Sequence, residues 1–380
     1  MIPNCIHFNA KNCTSCQLLV QPYFQQCIDK QLLCEEALSC FSTIAWLPLV
    51  ESKQVGFRNK AKMVVSGHWQ NPILGLFNQS GVAVDLTDCL LYPTALQAAF
   101  SPVRQWISDI QLMPYDILQR TGELKFVLVT LSEQTNTIMI RFVLRSKKML
   151  AVMREALPLL QNSLTTLAVV SVNIQPIAMA IVEGKEEIIL TSQTRLMMLI
   201  NELSLFIQPQ SFFQTNDAVA AALYRQAQDW IYEIQPSALW DLFCGVGGFA
   251  LHAAQVMRGA VTGIELSEQA IASAQASAQL LIKTNNIEFR AVSSDDFAFV
   301  QTDVPECVIV NPPRRGIGAA LCAFLNDAND IQWIIYSSCN PKSLTQDLSR
   351  LTLFTPIKAR VFDMFPHTHH AEVLVLLKRV

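Results

Sequence analysis

The chain has 380 residues, 51% of them hydrophobic and only 16% charged, with a formal net charge of −3. That length predicts two domains with room for a third, and the scarcity of charge excludes long disordered tails. A near-neutral total also excludes a global basic field, so a nucleic-acid partner would have to meet a local basic surface. Three small clusters qualify: Lys53, Arg58, Lys60 and Lys62; Arg145, Lys147 and Lys148; and Arg314 with Arg315.

In chain order, the N-terminus lacks a basic region followed by an apolar core, so no secretory leader is expected. Residues 1–50 are rich in cysteine and glutamine. Eleven cysteines without a leader fit reduced thiols in the cytoplasm, and an odd count fits no complete disulfide framework. Short strands are predicted over Lys62–Gly67 and Ile73–Phe77, with turns at Asn71-Pro72 and Gln79-Ser80-Gly81. A helix follows over Ala95–Leu118, interrupted by Pro102 and ending near Pro114. Leu124–Leu131 and Thr137–Leu144 read as a hairpin, Met149–Thr165 as a helix and Ala168–Ile174 as a strand. The apolar run Ala151–Val182 is broken by Arg154, Glu155, Gln161, Asn162, Asn173 and Pro176, so no membrane span is expected.

From Gln208 the pattern changes to regular alternation. Helix Ala218–Tyr232, strand Ala238–Leu242, helix Gly248–Val256, strand Ala260–Glu265, helix Glu268–Ile282 and strand Ile287–Ala291 come first. Strand Cys307–Val310, helix Gly318–Leu325, strand Gln332–Ser337 and helix Pro341–Leu351 follow. Strands Ile357–Phe362 and Glu372–Leu377 close the chain without a helix between them, which predicts an antiparallel edge pair. Such alternation means a mostly parallel sheet covered on both faces. The expected organisation is a cysteine-rich segment over residues 1–54, a central α+β domain over 55–207 and a Rossmann-like α/β domain over 208–380.

Three strand ends carry chemistry. Asp241-Leu-Phe-Cys-Gly-Val-Gly-Gly-Phe249 is a glycine-rich turn, in which Gly245 and Gly247 permit close backbone approach to a ligand. Glu265, about twenty residues on, sits where a carboxylate accepts hydrogen bonds from two ribose hydroxyls. The loop has no P-loop lysine followed by Ser or Thr, so a nucleoside cofactor without phosphates, S-adenosylmethionine, fits better than a nucleoside triphosphate. Asp295 and Asp296 follow the next strand, where they would meet the adenine or simply cap a helix. Asn311-Pro312-Pro313 suggests amine methylation, but Arg314 stands where that chemistry wants an aromatic side chain.

Cys339, at a strand-to-helix turn before Asn340-Pro341, supplies a nucleophile that amine methylation does not need. A thiolate adding to carbon 6 of uracil makes carbon 5 reactive toward a methyl sulfonium. That route calls for a cysteine with a depressed pKa and a separate base. Glu372, opening the apolar strand Val373-Leu-Val-Leu376, is the candidate base, because a carboxylate entering a sheet is costly unless paired or functional. Cys244, Cys307 and Cys322 read as inert core thiols. His367, His369 and His370 lack metal-ligand spacing.

Gln208-Pro-Gln-Ser-Phe-Phe-Gln214-Thr-Asn216, the glycine loop, Asn311-Pro-Pro-Arg-Arg-Gly316, Ser338-Cys339-Asn340-Pro341 and His370-Ala-Glu372 together resemble the RNA 5-methyluridine methyltransferases. The resemblance implies that Gln214, Phe243, Gly245, Glu265 and Asn311 bind S-adenosylmethionine, that Cys339 is the nucleophile and that Glu372 is the base. Phe212 and Phe213 would stack on a base or pack the domain junction. Upstream, Cys5, Cys13 and Cys16 form C-x7-C-x2-C, and Cys89 follows; four thiolates suit either zinc or an iron–sulfur cluster. Cys27, Cys34 and Cys40 remain over, any of them an alternative to Cys89. Similarity to ribosomal members of the family implies a 4Fe–4S cluster on Cys5, Cys13, Cys16 and Cys89. With Cys5 so near the start, no N-terminal RNA-binding barrel is expected before the cysteines, as in the shorter bacterial members. That likeness implies methylation of a hairpin-loop uridine of 23S rRNA, position 747, with tRNA as the alternative substrate. The base must be unstacked, so the expected partner is rRNA before full ribosome assembly, met by a cytoplasmic monomer.

Overall fold

The computed structural model describes residues 2–179, 181–281, 286–300 and 303–380. The N-terminal segment carries α1 (Ile6–Asn9), α2 (Tyr23–Ala37) and β1 (Ala45–Val50). Pro22 holds the backbone entering α2 at φ −54°, and the helix buries Gln26, Cys27, Lys30 and Cys34 along one face. Phe24, Ile28 and Leu32 are left exposed.

The central unit contains β2 (Lys60–His68), β3 (Asn71–Phe77), β4 (Ala83–Asp85), α3 (Thr94–Ala98), α4 (Phe100–Asp109), β5 (Leu124–Ser132) and β6 (Thr137–Leu144). It continues through α5 (Leu150–Ser163), β7 (Leu167–Ile174) and β8 (Glu186–Ile189). The seven strands are ordered β4-β3-β2-β5-β6-β7-β8. All neighbours are antiparallel except β6 and β7, which α5 joins as a crossover. The central α+β unit is therefore built on a mixed sheet. The single helix expected over Ala95–Leu118 is two helices, and Pro102 lies in the first turn of α4, where its missing N–H has no intrahelical acceptor to lose. Trp106, Phe142 and Met153 meet in the core beneath α4 and α5. A short hairpin, β9 (Leu196–Ile200) and β10 (Leu203–Ile207), leads out.

The C-terminal unit runs α6 (Asp217–Ile234), β11 (Ala238–Leu242), α7 (Gly248–Val256), β12 (Ala260–Glu265), α8 (Glu268–Ala278), β13 (Ile287–Ala291) and α9 (Ser294–Val300). Then come β14 (Cys307–Val310), α10 (Gly318–Asp327), β15 (Trp333–Ser338), α11 (Pro341–Arg350), β16 (Phe354–Phe362) and β17 (Glu372–Arg379). The expected end of the α8 helix at Ile282 lies outside the described residues. The sheet order is β1-β16-β17-β15-β14-β11-β12-β13. β17 is thus not at an edge: it runs antiparallel between β15 and β16, and β1 pairs parallel with β16 outside it. The physical reason is visible in its residues. Val373 to Leu377 are fully buried, so both sides of the strand need a paired neighbour and both faces a cover.

Segment 1–54 thereby reaches both sheets. Cys5, Cys13 and Cys16 lie against the central unit, while α2 and β1 belong to the C-terminal layer. The joint is a buried ion pair: Lys30 Nζ lies 2.5 Å from Asp363 Oδ1, with both side chains almost wholly inaccessible. Tyr23 donates to the other carboxylate oxygen at 2.7 Å and in turn accepts from the Ser52 backbone N–H. Among the described residues no helix is long and apolar enough to cross a membrane. Removing one partner strands the other charge in the interior, so Lys30→Ala is expected to cost about 3–5 kcal/mol in urea unfolding. Replacing both, as Lys30→Met with Asp363→Leu, is expected to recover most of that loss.

Candidate active site and cysteine cavity

The glycine turn leaves β11 through three residues in the left-handed region: Phe243 at φ +67°, Gly245 at +54° and Gly247 at +85°. A side chain on Gly245 would meet nothing within 4 Å, so its backbone faces open space. Glu265, at the end of β12, accepts from the Gly245 N–H through Oε2 at 3.2 Å and from the Ser267 N–H through Oε1 at 3.0 Å. The two residues singled out at this sheet edge are thus directly bonded. Beneath them Asp241 is fully buried, and burial pushes its carboxyl up to about 8 against the opposing bond from the Ala250 N–H. Gln214 is buried in the loop before α6, and its carbonyl accepts from Asn59 at 3.1 Å. Asp295 and Asp296 occupy the first turn of α9, where Ser293 and Asp296 bond reciprocally as a cap.

Asn311 and the two prolines follow β14 and lead to Gly316 at φ +84°. That loop is held by a residue the motifs did not reveal. Asp347 of α11 is buried and accepts from the Ile317 N–H at 2.8 Å and the Tyr336 hydroxyl at 2.7 Å. A Cβ on Gly316 would collide with the same carboxylate, which explains the glycine. Asn340 completes the loop's support by donating to the Arg314 carbonyl at 2.9 Å.

Cys339 follows β15, and Glu372 opens β17, its antiparallel neighbour, where Ser338 faces Val373. Glu372 is only 4% exposed and accepts from Ser337 at 2.5 Å. Burial pushes its carboxyl up to about 7, with the serine bond pulling the other way. The Cys339 thiol is also raised, first by burial and next by the Glu372 charge, while Arg314 opposes both through its charge and a hydrogen bond. The depressed thiol expected from the chemistry is therefore not what this pocket creates. Arg314 supplies the one nearby influence in the thiolate's favour that the site provides through a side chain.

The four N-terminal thiols share one place. Cys5, Cys13, Cys16 and Cys89 line a cavity of about 220 Å³ together with His7, Arg58, Tyr92 and His367. Burial, followed by the charges of Cys89, Cys13 and Cys5, pushes Cys16 up to about 12. Arg58 lowers both Cys16 and Cys89. Among the described residues no three His, Cys, Asp or Glu side chains converge as a site for a metal ion. Cys27 and Cys34 are buried, Cys40 is exposed, and none of the three lines the cavity. Of the histidines in the last loop, His367 is fully buried, bonded to Gln26 and to the Gln54 carbonyl. Phe213 belongs to the core, while Phe212 is 73% exposed.

A sequence model of the family described as tRNA (Uracil-5-)-methyltransferase matches residues 23–380. The chain is 49% identical over 377 residues to the 23S rRNA (uracil(747)-C(5))-methyltransferase RlmC of Pectobacterium atrosepticum, covering 99% of this chain and 100% of that one. It is 48% identical to the protein of the same name from Halothiobacillus neapolitanus, over 99% of this chain and 100% of that one. Its fold is similar to the crystal structure of the Pyrococcus abyssi tRNA (uracil-54, C5)-methyltransferase in complex with S-adenosyl-L-homocysteine. The TM-score there is 0.80 at 23% identity, over 96% of this chain and 84% of that one.

The raised Glu372 carboxyl has a measurable consequence. Its folded pKa of about 7 lies above the ordinary glutamate value, so the stability it contributes is complete below about pH 4.3 and lost as pH rises through 7. Glu372→Gln removes that dependence. In urea unfolding the variant is expected to gain on the wild type between pH 4.5 and 8, by roughly 3 kcal/mol; a constant difference across that range would contradict the buried-carboxyl account.

Proposed function

This chain belongs to the tRNA (uracil-5-)-methyltransferase family, and from that premise we propose that it methylates carbon 5 of a uridine in 23S rRNA, at position 747, using S-adenosylmethionine. The observation that carries the reading is the pairing of a thiol with a carboxyl titrating near neutrality on adjacent strand ends, Cys339 after β15 and Glu372 at the head of β17. The full-length relatives named for 23S rRNA supply the substrate class.

S-adenosylmethionine, when bound, supplies an electrophilic methyl group. The protein's own residues do the rest. Gly245 presents open backbone, Glu265 stands beside it as an acceptor for ribose hydroxyls, and Gln214, Phe243 and Asn311 complete the proposed cofactor contacts. The Cys339 thiolate adds to carbon 6 of the uracil, forming a carbon–sulfur bond and moving an electron pair toward carbon 5. Carbon 5 takes the methyl group with that electron pair, while the methyl–sulfur bond breaks and its pair stays on the departing neutral thioether. Glu372 then accepts the carbon-5 proton, the pair returns to the ring, and the carbon–sulfur bond breaks to free the thiolate. Both groups must be deprotonated at their respective steps, so turnover is expected to rise with pH through about 7.

The cysteine cavity fits an iron–sulfur cluster. Two of its four thiols, Cys16 and Cys89, are raised by burial and then by their neighbouring thiols, a cost that binding iron would relieve. A multi-atom cluster, larger than a single ion, suits thiols spread around such a cavity. Cys5, Cys13, Cys16 and Cys89 would hold a 4Fe–4S cluster, with Arg58 offsetting its negative charge. The enzyme acts as a cytoplasmic monomer on rRNA not yet fully assembled, because a stacked or enclosed uridine is unreachable.

Tritium release from RNA labelled at uridine carbon 5 tests the reaction and its substrate together. Release is expected from unmodified 23S rRNA; release from unmodified tRNA alone would keep the chemistry and overturn the ribosomal substrate. Cys339→Ala is expected to abolish release while S-adenosylmethionine affinity stays within about twofold, since the thiol is not among the proposed cofactor contacts. Anaerobically prepared protein is expected to be brown, absorbing near ~400 nm. A colourless, zinc-containing preparation would refute the cluster.

A further inference from the structure

A second cavity, of about 280 Å³, lies between the central sheet and the loop that precedes α6. Its charged walls are Arg58, Lys60, Lys62, Arg141 and Glu183. Arg141 is neutralised by Glu187 at 2.6 Å and by Glu183 at 3.3 Å. Among the described residues, Arg58, Lys60 and Lys62 form no ion pair at all. Lys60 is held in place by its backbone, since β2 is bonded to the α6-preceding loop through Asn59, whose N–H meets the Thr215 carbonyl at 2.9 Å. Burial, then the charge of Arg141, lowers the Lys60 ammonium from its ordinary range, with Glu183 opposing and Lys62 adding a smaller push.

The same cavity contains an orphan donor. Thr215 is one of its lining residues, and the Thr215 hydroxyl is shut off from solvent with no hydrogen-bond partner. Crowded, unmatched cations beside an unsatisfied hydroxyl are costly to bury unless something negative completes them. An oxyanion with several acceptor oxygens satisfies both needs at once.

We propose that this cavity binds a backbone phosphate of the RNA substrate, gripped by Lys60, Lys62 and the Thr215 hydroxyl. The proposal rests on the RNA methyltransferase reading and extends it. Thr215 adjoins Gln214, one of the proposed cofactor contacts, so the phosphate grip and the cofactor loop are one piece of backbone. Phe212 projects from that loop into solvent, where an unstacked base can lie on it. The local cation excess also answers how a chain with net charge −3 meets a polyanion.

Lys60→Gln and Thr215→Val, singly and together, test the site, because neither residue lines the cysteine cavity. The probe is an unmodified 23S rRNA transcript, titrated from low to moderate salt. The double variant is expected to bind about tenfold more weakly, with the slope of log affinity against log salt reduced by about 0.7–0.9, one phosphate's share. Under turnover the loss should fall on KM for RNA, with S-adenosylmethionine affinity and thermal midpoint kept. Equal slopes and equal KM in wild type and variant would overturn the phosphate site and leave the methyltransferase reading intact. Variant-sensitive binding of inorganic phosphate with an unchanged RNA slope would likewise overturn it, in favour of a small-anion site. Wild-type protein that binds the transcript with the lysine-dependent slope yet transfers no methyl group would overturn the methyltransferase reading and support the phosphate grip.

Discussion

The burial of one carboxyl at the head of β17 is the constraint on which the rest of the proposed active site depends. Glu372 is carried into the middle of an eight-stranded sheet because β17 reverses direction and inserts between β15 and β16. Insertion beside β15 brings it level with the strand end that delivers Cys339. Burial then raises its pKa to about 7, where one group can exist in both protonation states under ordinary conditions. The cost is tolerated because the next five residues of the strand, Val373 to Leu377, are apolar and fully packed. The same proximity raises the Cys339 thiol, so the two groups cannot both be charged cheaply, and Arg314 is placed to shift that balance.

The loop from Asp363 to Ala371 connects this centre to the cysteine cavity. Asp363 at one end locks onto Lys30 and Tyr23 of α2. His367 in the middle lines the cysteine cavity and is bonded to Gln26 of the same helix. Glu372 is the first strand residue after it. The N-terminal segment is therefore part of the structural frame of the active site, and a loss of order around the four cysteines would reach Glu372 through nine residues of backbone. Asp347 does the equivalent work on the other side, tying the Asn311–Gly316 loop to α11.

Charge is distributed to match. The chain carries slightly more acid than base, yet three cations without an ion-pair partner, Arg58, Lys60 and Lys62, stand together at the start of β2, between the cysteines and the loop bearing Gln214. Arg58 serves both neighbouring cavities, lowering two of the thiols and contributing to the cationic wall.

Much of the C-terminal unit was determined by the sequence alone. The glycine turn, Glu265 at the next strand end and Cys339 at a strand-to-helix turn are local patterns, and strands such as Ala260–Glu265 and Ile287–Ala291 lie where their β-branched and apolar runs predict. Local patterns carry no record of strand partners. That β17 lies inside the sheet, that β1 joins β16 from more than three hundred residues away and that β6 and β7 run parallel were decided by which faces had to be covered once the chain collapsed. The same holds for individual groups. Lys30, Asp363, Asp347 and Thr215 read as ordinary polar residues in the sequence, and Cys339 reads as a thiol to be acidified. Their roles, and the raised thiol of Cys339, arise from desolvation and from neighbours brought together by packing, quantities that exist only in the folded state.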